Sequence, residues 1–405
     1  MALLRQKIVK EDIEVGIGTV ERIADDGSTL IGTRNNLDAD RLTMHGYYQG
    51  SDTWQFIKPD GSALNTGGTQ TGGLQEAINA VAANGWNFNI PGGSQATTIP
   101  RFILNATLNI PILYGVTWRI GYVVVDIAAS VSGPGIVFDS ALLADLDLGW
   151  NVHHLGTGPV MRIKPTNVIV NEGTALFSSN RMRNFSLVSD DSTATMLELD
   201  AGTAGIGANI FSWDFIAGGA ANPSKGVVMT ATTQIANNLF QFGRLDKFRT
   251  TGLEMNGNSS TLFSNLITGV FSGNNAAAVN IDNYGANNTF IGIITGISGT
   301  GIRNQSGASG NIYMFSRNEA TVAAVDQSGA GRNTYLLSNQ FGIGATPNAK
   351  AVLDLSSTTD QGIRLPSMTT SQRNAISSPP ENLFIWNTTT KKPNYFDGSS
   401  WVALP

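Results

Sequence analysis

The sequence predicts an all-β protein built as a parallel β-helix, and composition and two repeating patterns support this prediction. The chain has 405 residues, 46 of them Gly and only 14% charged, which suits many short strands joined by tight turns. Hydrophobic residues make up 41%, enough to bury a core and to argue against disorder. Two strand-like patterns recur together at short intervals. A repeat of only 22 to 29 residues cannot bury its own apolar side, so it must stack on copies of itself.

The first pattern ends on an aromatic residue that follows Asn or another small polar residue. Its copies are Asn184-Phe185, Asn209-Ile210-Phe211, Asn238-Leu239-Phe240, Thr261-Leu262-Phe263, Asn288-Thr289-Phe290, Asn311-Ile312-Tyr313 and Asn333-Thr334-Tyr335, and successive aromatic residues are 22 to 29 positions apart. Asn tolerates left-handed backbone at a corner, and its amide can bond the Asn of the next coil. We therefore expect stacked Asn residues at a corner and stacked rings inside.

The second pattern is a short alternation of apolar and polar residues that runs into Asn, Gly or Ser. Its copies lie at 196–200, 227–229, 253–256, 279–282, 302–304 and 325–326. Such alternation is typical of a half-buried strand that ends in a turn. Each repeat therefore holds at least two strands.

An amphipathic helix is predicted in front of the repeats. Apolar residues at helical spacing form one stripe, consisting of Leu74, Ala77, Ile78, Val81 and Ala82. Thr71 can cap the start, and Asn84-Gly85 is a suitable stop. A strand is expected at 86–90, before a Pro-Gly-Gly turn. Because an open β-helix end exposes core and strand edges, this helix is expected to cover the first coil.

Two segments resemble parts of bacteriophage tail proteins. Residues 73–78 (GLQEAI) and 89–93 (NIPGG) resemble the entry into the pectate-lyase-like right-handed β-helix of phage tailspikes. Residues 342–347, 351–355, 364–376, 385–388 and 395–402 resemble the C-terminal segment of phage tail fibres. The resemblance implies a right-handed parallel β-helix, a small β-rich tip and a homotrimeric virion fibre or spike.

The predicted organisation has three parts. Residues 1–65 fit neither resemblance, and by position they are expected to attach the chain to a tail, baseplate or adaptor protein. Residues 66–340 form the β-helix, and residues 341–405 form the tip and trimerisation domain. The start lacks an apolar signal-peptide core, which fits synthesis in the host cytoplasm and release of the virion by lysis.

Charge and residue usage exclude several partners. The net charge is −5 and there is no run of Lys and Arg, so a nucleic-acid partner is not expected. The most apolar stretch, 114–131, is interrupted by Arg119 and Asp126 and is not expected to cross a membrane. The chain has no Cys, so neither a thiolate zinc site nor thiol catalysis is expected, and no cofactor is predicted.

Several titratable residues are candidates for catalysis or metal binding. Candidate sugar-cleaving acids are Asp190, Asp191, Glu198, Asp200, Asp214, Asp246, Glu254 and Asp282, of which Glu198, Glu254 and Asp282 share a repeat position. We interpret them as surface or turn acids and predict no catalytic residue. His153-His154 suggests a metal, but neighbouring strand residues point to opposite faces, so no metal site is predicted.

Four aromatic residues of the tip are the candidate receptor-binding residues: Trp386, Tyr395, Phe396 and Trp401. Their rings can stack on a sugar, or they can form the core of the tip, which the alternation of the surrounding strands favours. The predicted function is adhesion of a phage tail fibre or tailspike to a host surface polysaccharide, without enzymatic activity. The alternatives are a polysaccharide-depolymerising tailspike and a head or collar fibre that has no receptor.

Overall fold

A computed structural model describes most of the chain. The described residues are 20–23, 29–32, 42–67, 69–91, 99–169, 176–219, 222–272, 279–295, 299–320, 322–328, 333–337, 340–343, 353–354 and 365–405. The chain divides into two compact units, Met1–Asp354 and Leu355–Pro405. The predicted boundaries at 65/66 and 340/341 stay predictions.

The first unit is a parallel β-helix whose chain visits three sheets in turn. The long sheet has 17 strands: Thr43–Gly50, Thr53–Ile57, Asn87–Ile90, Arg101–Leu104, Thr117–Ile120, Val123–Ile127, Asp145–His154, Arg181–Ser189, Ile210–Trp213, Phe215–Gly218, Leu239–Asp246, Leu266–Ser272, Thr289–Thr295, Ile312–Asn318, Thr334–Leu337, Gln340–Ile343 and Leu353–Asp354. The nine-stranded sheet contains Leu108–Ile110, Ile136–Phe138, Met161–Ile163, Thr195–Ala201, Lys225–Ala231, Thr251–Asn256, Val279–Asn283, Thr300–Asn304 and Val322–Asp326. The six-stranded sheet contains Leu113–Tyr114, Ala141–Leu142, Leu176–Ser178, Gly205–Gly207, Ile235–Ala236 and Leu262–Phe263. A separate hairpin pairs Val20–Ile23 with Thr29–Gly32.

The nine-stranded sheet confirms the second sequence pattern. Leu197 pairs in register with Val227, and the same column continues through Leu253, Ile281 and Ile302. All of these side chains are buried. One predicted strand from each repeat therefore forms one wall of the β-helix.

Five copies of the first sequence pattern are confirmed as members of an asparagine ladder at a corner of the β-helix, next to the long sheet, whereas Asn180 and Asn265 take the places predicted for Asn184 and Thr261. The ladder consists of Asn180, Asn209, Asn238, Asn265, Asn288, Asn311 and Asn333, all of them buried. From Asn209 onward, each side-chain oxygen accepts the backbone N–H of the Asn in the preceding coil, at 2.9 to 3.1 Å, while that of Asn180 accepts the N–H of Ala144. Buried polar groups at this corner are thereby paired along the axis.

The prediction that Phe185 and Phe263 belong to the inner aromatic column is wrong. Phe185 pairs in register with Trp150, and Met182 occupies its place beside Phe211. Phe263 lies in the six-stranded sheet, and Ile267 fills the column next to Phe240. The ladder Asn marks the repeat, whereas the inward position two residues later requires an apolar side chain of suitable volume and not a ring.

Where aromatic residues do follow each other in the column, their rings stack along the axis. The ring centroids of Phe211 and Phe240 are 5.0 Å apart, and those of Phe290 and Tyr313 are 4.7 Å apart. Tyr335 continues the stack, with its centroid 5.2 Å from that of Tyr313. Ile267 lies between these two ring stacks, and together they fill the core that no single coil could enclose.

The front of the β-helix carries the predicted helix, Leu74–Asn84, which buries Leu74, Ala77, Ile78 and Val81. Gly85 ends it in the left-handed conformation, with φ 63°. Gly73 is the N-cap, and the hydroxyl of Thr71 accepts the backbone N–H of Gln75 at 3.2 Å. The strands Thr43–Gly50 and Thr53–Ile57, which lie within the predicted attachment segment, belong to the long sheet.

The second unit is small. Its four-stranded sheet contains Ser367–Met368, Phe384–Asn387, Lys392–Phe396 and Trp401–Ala403. A short helix, Thr370–Asn374, begins with a capping box in which the Thr369 hydroxyl and the Gln372 side chain each bond the other's backbone N–H. Polar residues fill much of its interior, where Asn387 donates to the Asn394 side-chain oxygen at 3.0 Å.

Candidate functional site

The four predicted receptor-binding residues lie on two faces of the tip sheet. Tyr395 and Phe396 are neighbours on one strand, so their side chains point to opposite faces. Tyr395 pairs with Phe384 across the sheet, whereas Phe396 pairs with Trp401. The four residues therefore do not form one cluster.

One face of the tip sheet is open in this unit, and we call it the open face; it carries Phe384, Trp386 and Tyr395. The rings of Phe384 and Tyr395 stack with centroids 5.7 Å apart. Trp386 lies two residues beyond Phe384 on the same strand and is 38% exposed. Phe384 is not among the residues predicted from the sequence. Its position two residues before Trp386 could have identified it, because residues i and i+2 of a strand share a face.

The other face packs against the short helix. The rings of Phe396 and Trp401 meet edge to face, with centroids 5.5 Å apart. The Arg373 guanidinium lies over the Trp401 ring, 5.6 Å from its centroid, and donates to the Asn394 side chain at 2.8 Å. Trp401 and Asn394 thus hold the short helix against the sheet through Arg373.

Most candidate acids of the β-helix lie beside a Lys, Arg or His side chain, which belongs to a neighbouring coil in every pair except that of Asp246 and Arg244. Glu198 bonds Arg162 at 2.6 Å, Asp200 bonds Lys164 at 2.7 Å, and Glu254 bonds Lys225 at 2.7 Å. Asp246 bonds Arg244, Asp282 bonds Arg303, and Asp190 bonds His153. The predicted shared position is confirmed, because Glu198, Val228, Glu254 and Asp282 follow one another in register. The carboxylates of Glu198, Glu254 and Asp282 each lie beside a Lys or Arg side chain.

Asp214 lies in a different environment. It sits between the strands Ile210–Trp213 and Phe215–Gly218, and burial, followed by the nearby charge of Asp147, raises the pKa of its carboxyl. Asp147 accepts from Arg183 at 3.2 Å and from Asn184 at 2.6 Å. Asp147 is not among the acids predicted from the sequence. The Asp-x-Asp spacing could have identified it, because it places Asp145 and Asp147 on one face of a strand.

The two adjacent histidines point to opposite faces, as predicted. His153 faces outward, where its Nε2 lies 2.9 Å from Asp190 and its Nδ1 lies 3.7 Å from Asp126. His154 points into the core, and neither ring nitrogen has a hydrogen-bond partner among the described residues. Burial lowers the pKa of His154 to about 4, although Asp191 opposes this shift.

A polar groove of about 490 Å³ lies beside the front helix. Its walls are Thr69, Gln70, Thr71, Gln75, Glu76, Asn79, Ala106, Thr107 and Asn109. The Gln75 side chain spans it by donating to the Asn109 carbonyl at 2.6 Å and accepting the Asn109 N–H at 2.7 Å. Nothing in its lining resembles a catalytic arrangement, since Glu76 is its one ionisable side chain.

The described ranges contain neither a metal-binding cluster nor a membrane-spanning helix. No group of three or more His, Asp or Glu side chains in these ranges could hold a metal ion. Among the helices described, none has the length and apolarity needed to span a bilayer.

Residues 342–405 match the family model described as phage tail like trimerisation region. No curated protein sequence matches the chain. Among solved structures, the Dettilon tailspike protein is similar with 12% identity and a TM-score of 0.30, over 68% of this chain and 69% of the other. Tailspike protein 3 of bacteriophage CBA120 is similar with 10% identity and a TM-score of 0.26, over 100% and 76%.

The A-module of a mannuronan C-5 epimerase from Azotobacter vinelandii is similar with 10% identity and a TM-score of 0.26, over 63% of this chain and 91% of the other. Structural similarities this low support no conclusion, and the β-helix is established by the strand pairing of the chain itself. The trimerisation region indicates that the chain assembles as a trimer. The chain thus combines a parallel β-helix with a C-terminal phage tail like trimerisation region at residues 342–405.

Proposed function

We propose that this phage tail protein binds a host surface polysaccharide through the open face of its tip. The observation that carries the proposal is the aromatic row on one face of the sheet, in which Phe384 and Trp386 are exposed and Tyr395 is half-buried. Pyranose rings present C–H faces that pack on aromatic rings, and the amphipathic Trp and Tyr rings combine an apolar surface with a polar edge. A trimer would present three such faces, so that weak individual contacts add up through multivalency.

Binding of the full-length trimer to purified host surface polysaccharide tests the proposal. Trp386→Ala is expected to weaken binding about tenfold or more, the equivalent of about 1.4 kcal/mol. Tyr114→Ala is the matched control, because Tyr114 is also 38% exposed but lies in the β-helix. Wild-type binding by the Trp386 variant would refute the proposal. Loss of the trimer in that variant would also refute it, by assigning the open face to subunit contact.

A second candidate function, polysaccharide cleavage, is favoured by the environments of Asp214 and Asp147. A carboxyl whose pKa is raised can act as a general acid, while a neighbouring carboxylate held by Arg and Asn acts as a base or nucleophile. Incubation with host polysaccharide would then release fragments, and Asp214→Asn would abolish the release. Asp200→Asn, which disturbs only the ion pair with Lys164, is the control. Intact polysaccharide after prolonged incubation would leave adhesion without cleavage.

Attachment to the tail or baseplate through residues 1–65 stays a prediction. Because Thr43–Gly50 and Thr53–Ile57 are strands of the β-helix, the truncation that tests it must end before residue 42. Such a trimer is expected to remain folded but to be absent from phage particles. Particles that still carry the truncated protein would contradict this role.

A further inference from the structure

The outward face of the long sheet changes from charged to uncharged along the β-helix. In its earlier coils, the outward positions include Arg181 and four charged residues that ion pairs link to one another, Arg119, Asp145, Asp147 and Arg183. From Ile210 onward, two adjacent outward columns carry no charge at all. The first column is Ile210, Leu239, Leu266, Thr289, Ile312 and Thr334; the second is Ser212, Gln241, Thr268, Ile291, Met314 and Leu336.

We call these two columns the uncharged stripe. It contains much of the exposed aliphatic surface of the chain, since Ile210, Leu266, Ile291, Ile312 and Leu336 are all among the exposed large hydrophobic side chains. Adjacent strands are about 4.8 Å apart, so six strands form a stripe roughly 25 Å long. A contiguous stripe of uncharged and mainly aliphatic side chains marks an interaction surface, whereas single exposed aliphatic residues do not.

The nine-stranded sheet provides an internal comparison, because its outward column crosses the same coils. That column runs through Arg162, Glu198, Val228, Glu254, Asp282, Arg303 and Val325. Its charged members form ion pairs between coils, as expected of a face that remains in water. The two outer faces of one β-helix therefore differ sharply in chemistry.

We infer that the uncharged stripe is where the β-helices of the trimer pack against one another around the threefold axis. The partner is a second and a third copy of this chain, for two reasons. The last strand of the stripe, Thr334–Leu337, is paired with Gln340–Ile343, and the trimerisation region begins at residue 342, so the stripe is continuous with the segment that joins the three chains. Each copy also carries a net charge of −5, so close packing is least opposed by repulsion on a face without charges.

This geometry brings each residue of the stripe close to its own copies, as rotation about a threefold axis requires. The self-association of the tip does not depend on it, because the trimerisation region is a separate stretch of sequence. The inference goes beyond receptor binding and concerns how the β-helical part is assembled. Failure of the receptor-binding proposal therefore leaves the inference about the uncharged stripe unaffected, and the reverse also holds.

Cysteine cross-linking of the full-length protein tests the inference directly, because the natural chain has no Cys. A single Leu336→Cys or Ile312→Cys substitution is expected to give covalent dimers and trimers with a short bismaleimide. Val322→Cys is the matched control, since Val322 is 44% exposed and Leu336 is 43% exposed, but Val322 lies in the nine-stranded sheet. It is expected to remain monomeric on a denaturing gel.

A second pair of variants measures the consequence for assembly. Leu336→Asp places three like charges at the axis and is expected to make subunit dissociation in detergent at least tenfold faster, while Val322→Asp leaves the rate unchanged. Both side chains are exposed in the single chain, so folding of the β-helix is not at stake. The inference is overturned if neither stripe cysteine cross-links within a trimeric protein, or if Val322→Cys cross-links as well as they do.

Discussion

The side-chain oxygen of Asn265 accepts two hydrogen bonds from Asn238, one from its backbone N–H at 3.1 Å and one from its Nδ2 at 3.0 Å. The Nδ2 of Asn265 in turn donates to Asn288 at 3.0 Å and to the Ile235 carbonyl at 2.9 Å. One buried side chain thus joins three coils. Because the same geometry recurs along the ladder, each coil fixes the register of the next.

Asn265→Ala is therefore expected to destabilise the β-helix by about 2 kcal/mol, since it leaves the buried backbone N–H of Asn238 without its acceptor and removes one of the acceptors of the Asn238 Nδ2. The measurement is the half-life of unfolding at fixed temperature followed by circular dichroism, which suits a trimer that unfolds irreversibly. Asn79→Ala, on the exposed side of the front helix, should leave the half-life unchanged. An equal half-life for the Asn265 variant would show that the ladder contributes little.

His154 is expected to make the protein sensitive to mild acid. Its pKa is 6.5 in an unfolded chain but about 4 when it is buried, so the unfolded state binds more protons between these values. Stability should fall as the pH drops from about 6.5 to 4, by about 3 kcal/mol in total. Unfolding half-lives measured across this range should become less dependent on pH in His154→Leu, whereas His153→Gln should keep the dependence. A wild-type pH profile in His154→Leu would exclude this origin.

Gly292 is expected to tolerate no side chain. A Cβ at this position would lie 1.9 Å from the carbonyl oxygen of Gly269, its register partner in the preceding coil. Gly292→Ala should therefore separate the two strands and shorten the unfolding half-life, at a cost of about 2 kcal/mol or more. At Gly202 the nearest atom to an added Cβ is 3.5 Å away, so Gly202→Ala is the control with ordinary contact. Equal half-lives for the two variants would contradict this prediction.

The repeating character of the fold could be predicted because short sequence patterns recur in each repeat. Asn recurs at each corner, and inward positions alternate with outward ones, so both the ladder and the nine-stranded sheet were foreseeable. The front helix was also foreseeable, since its apolar stripe and its Gly85 stop are local signals. The six-stranded sheet was not, because strands as short as Ile235–Ala236 contain too few residues for any alternation.

Some positions depend on which strands pair and in what register, and these could not be predicted from the sequence alone. Ile267 replaces an aromatic residue in the inner column because stacking requires volume and apolarity, which several residue types provide. Trp386 and Trp401 look equivalent in sequence, but strand register sends one to the open face and the other beneath Arg373. Ion pairs such as Arg162 with Glu198 join residues one coil apart, and the length of each coil sets which side chains meet. Local preferences therefore specify that the chain coils, while the fit between neighbouring coils specifies which residues become core, ion pair or exposed surface.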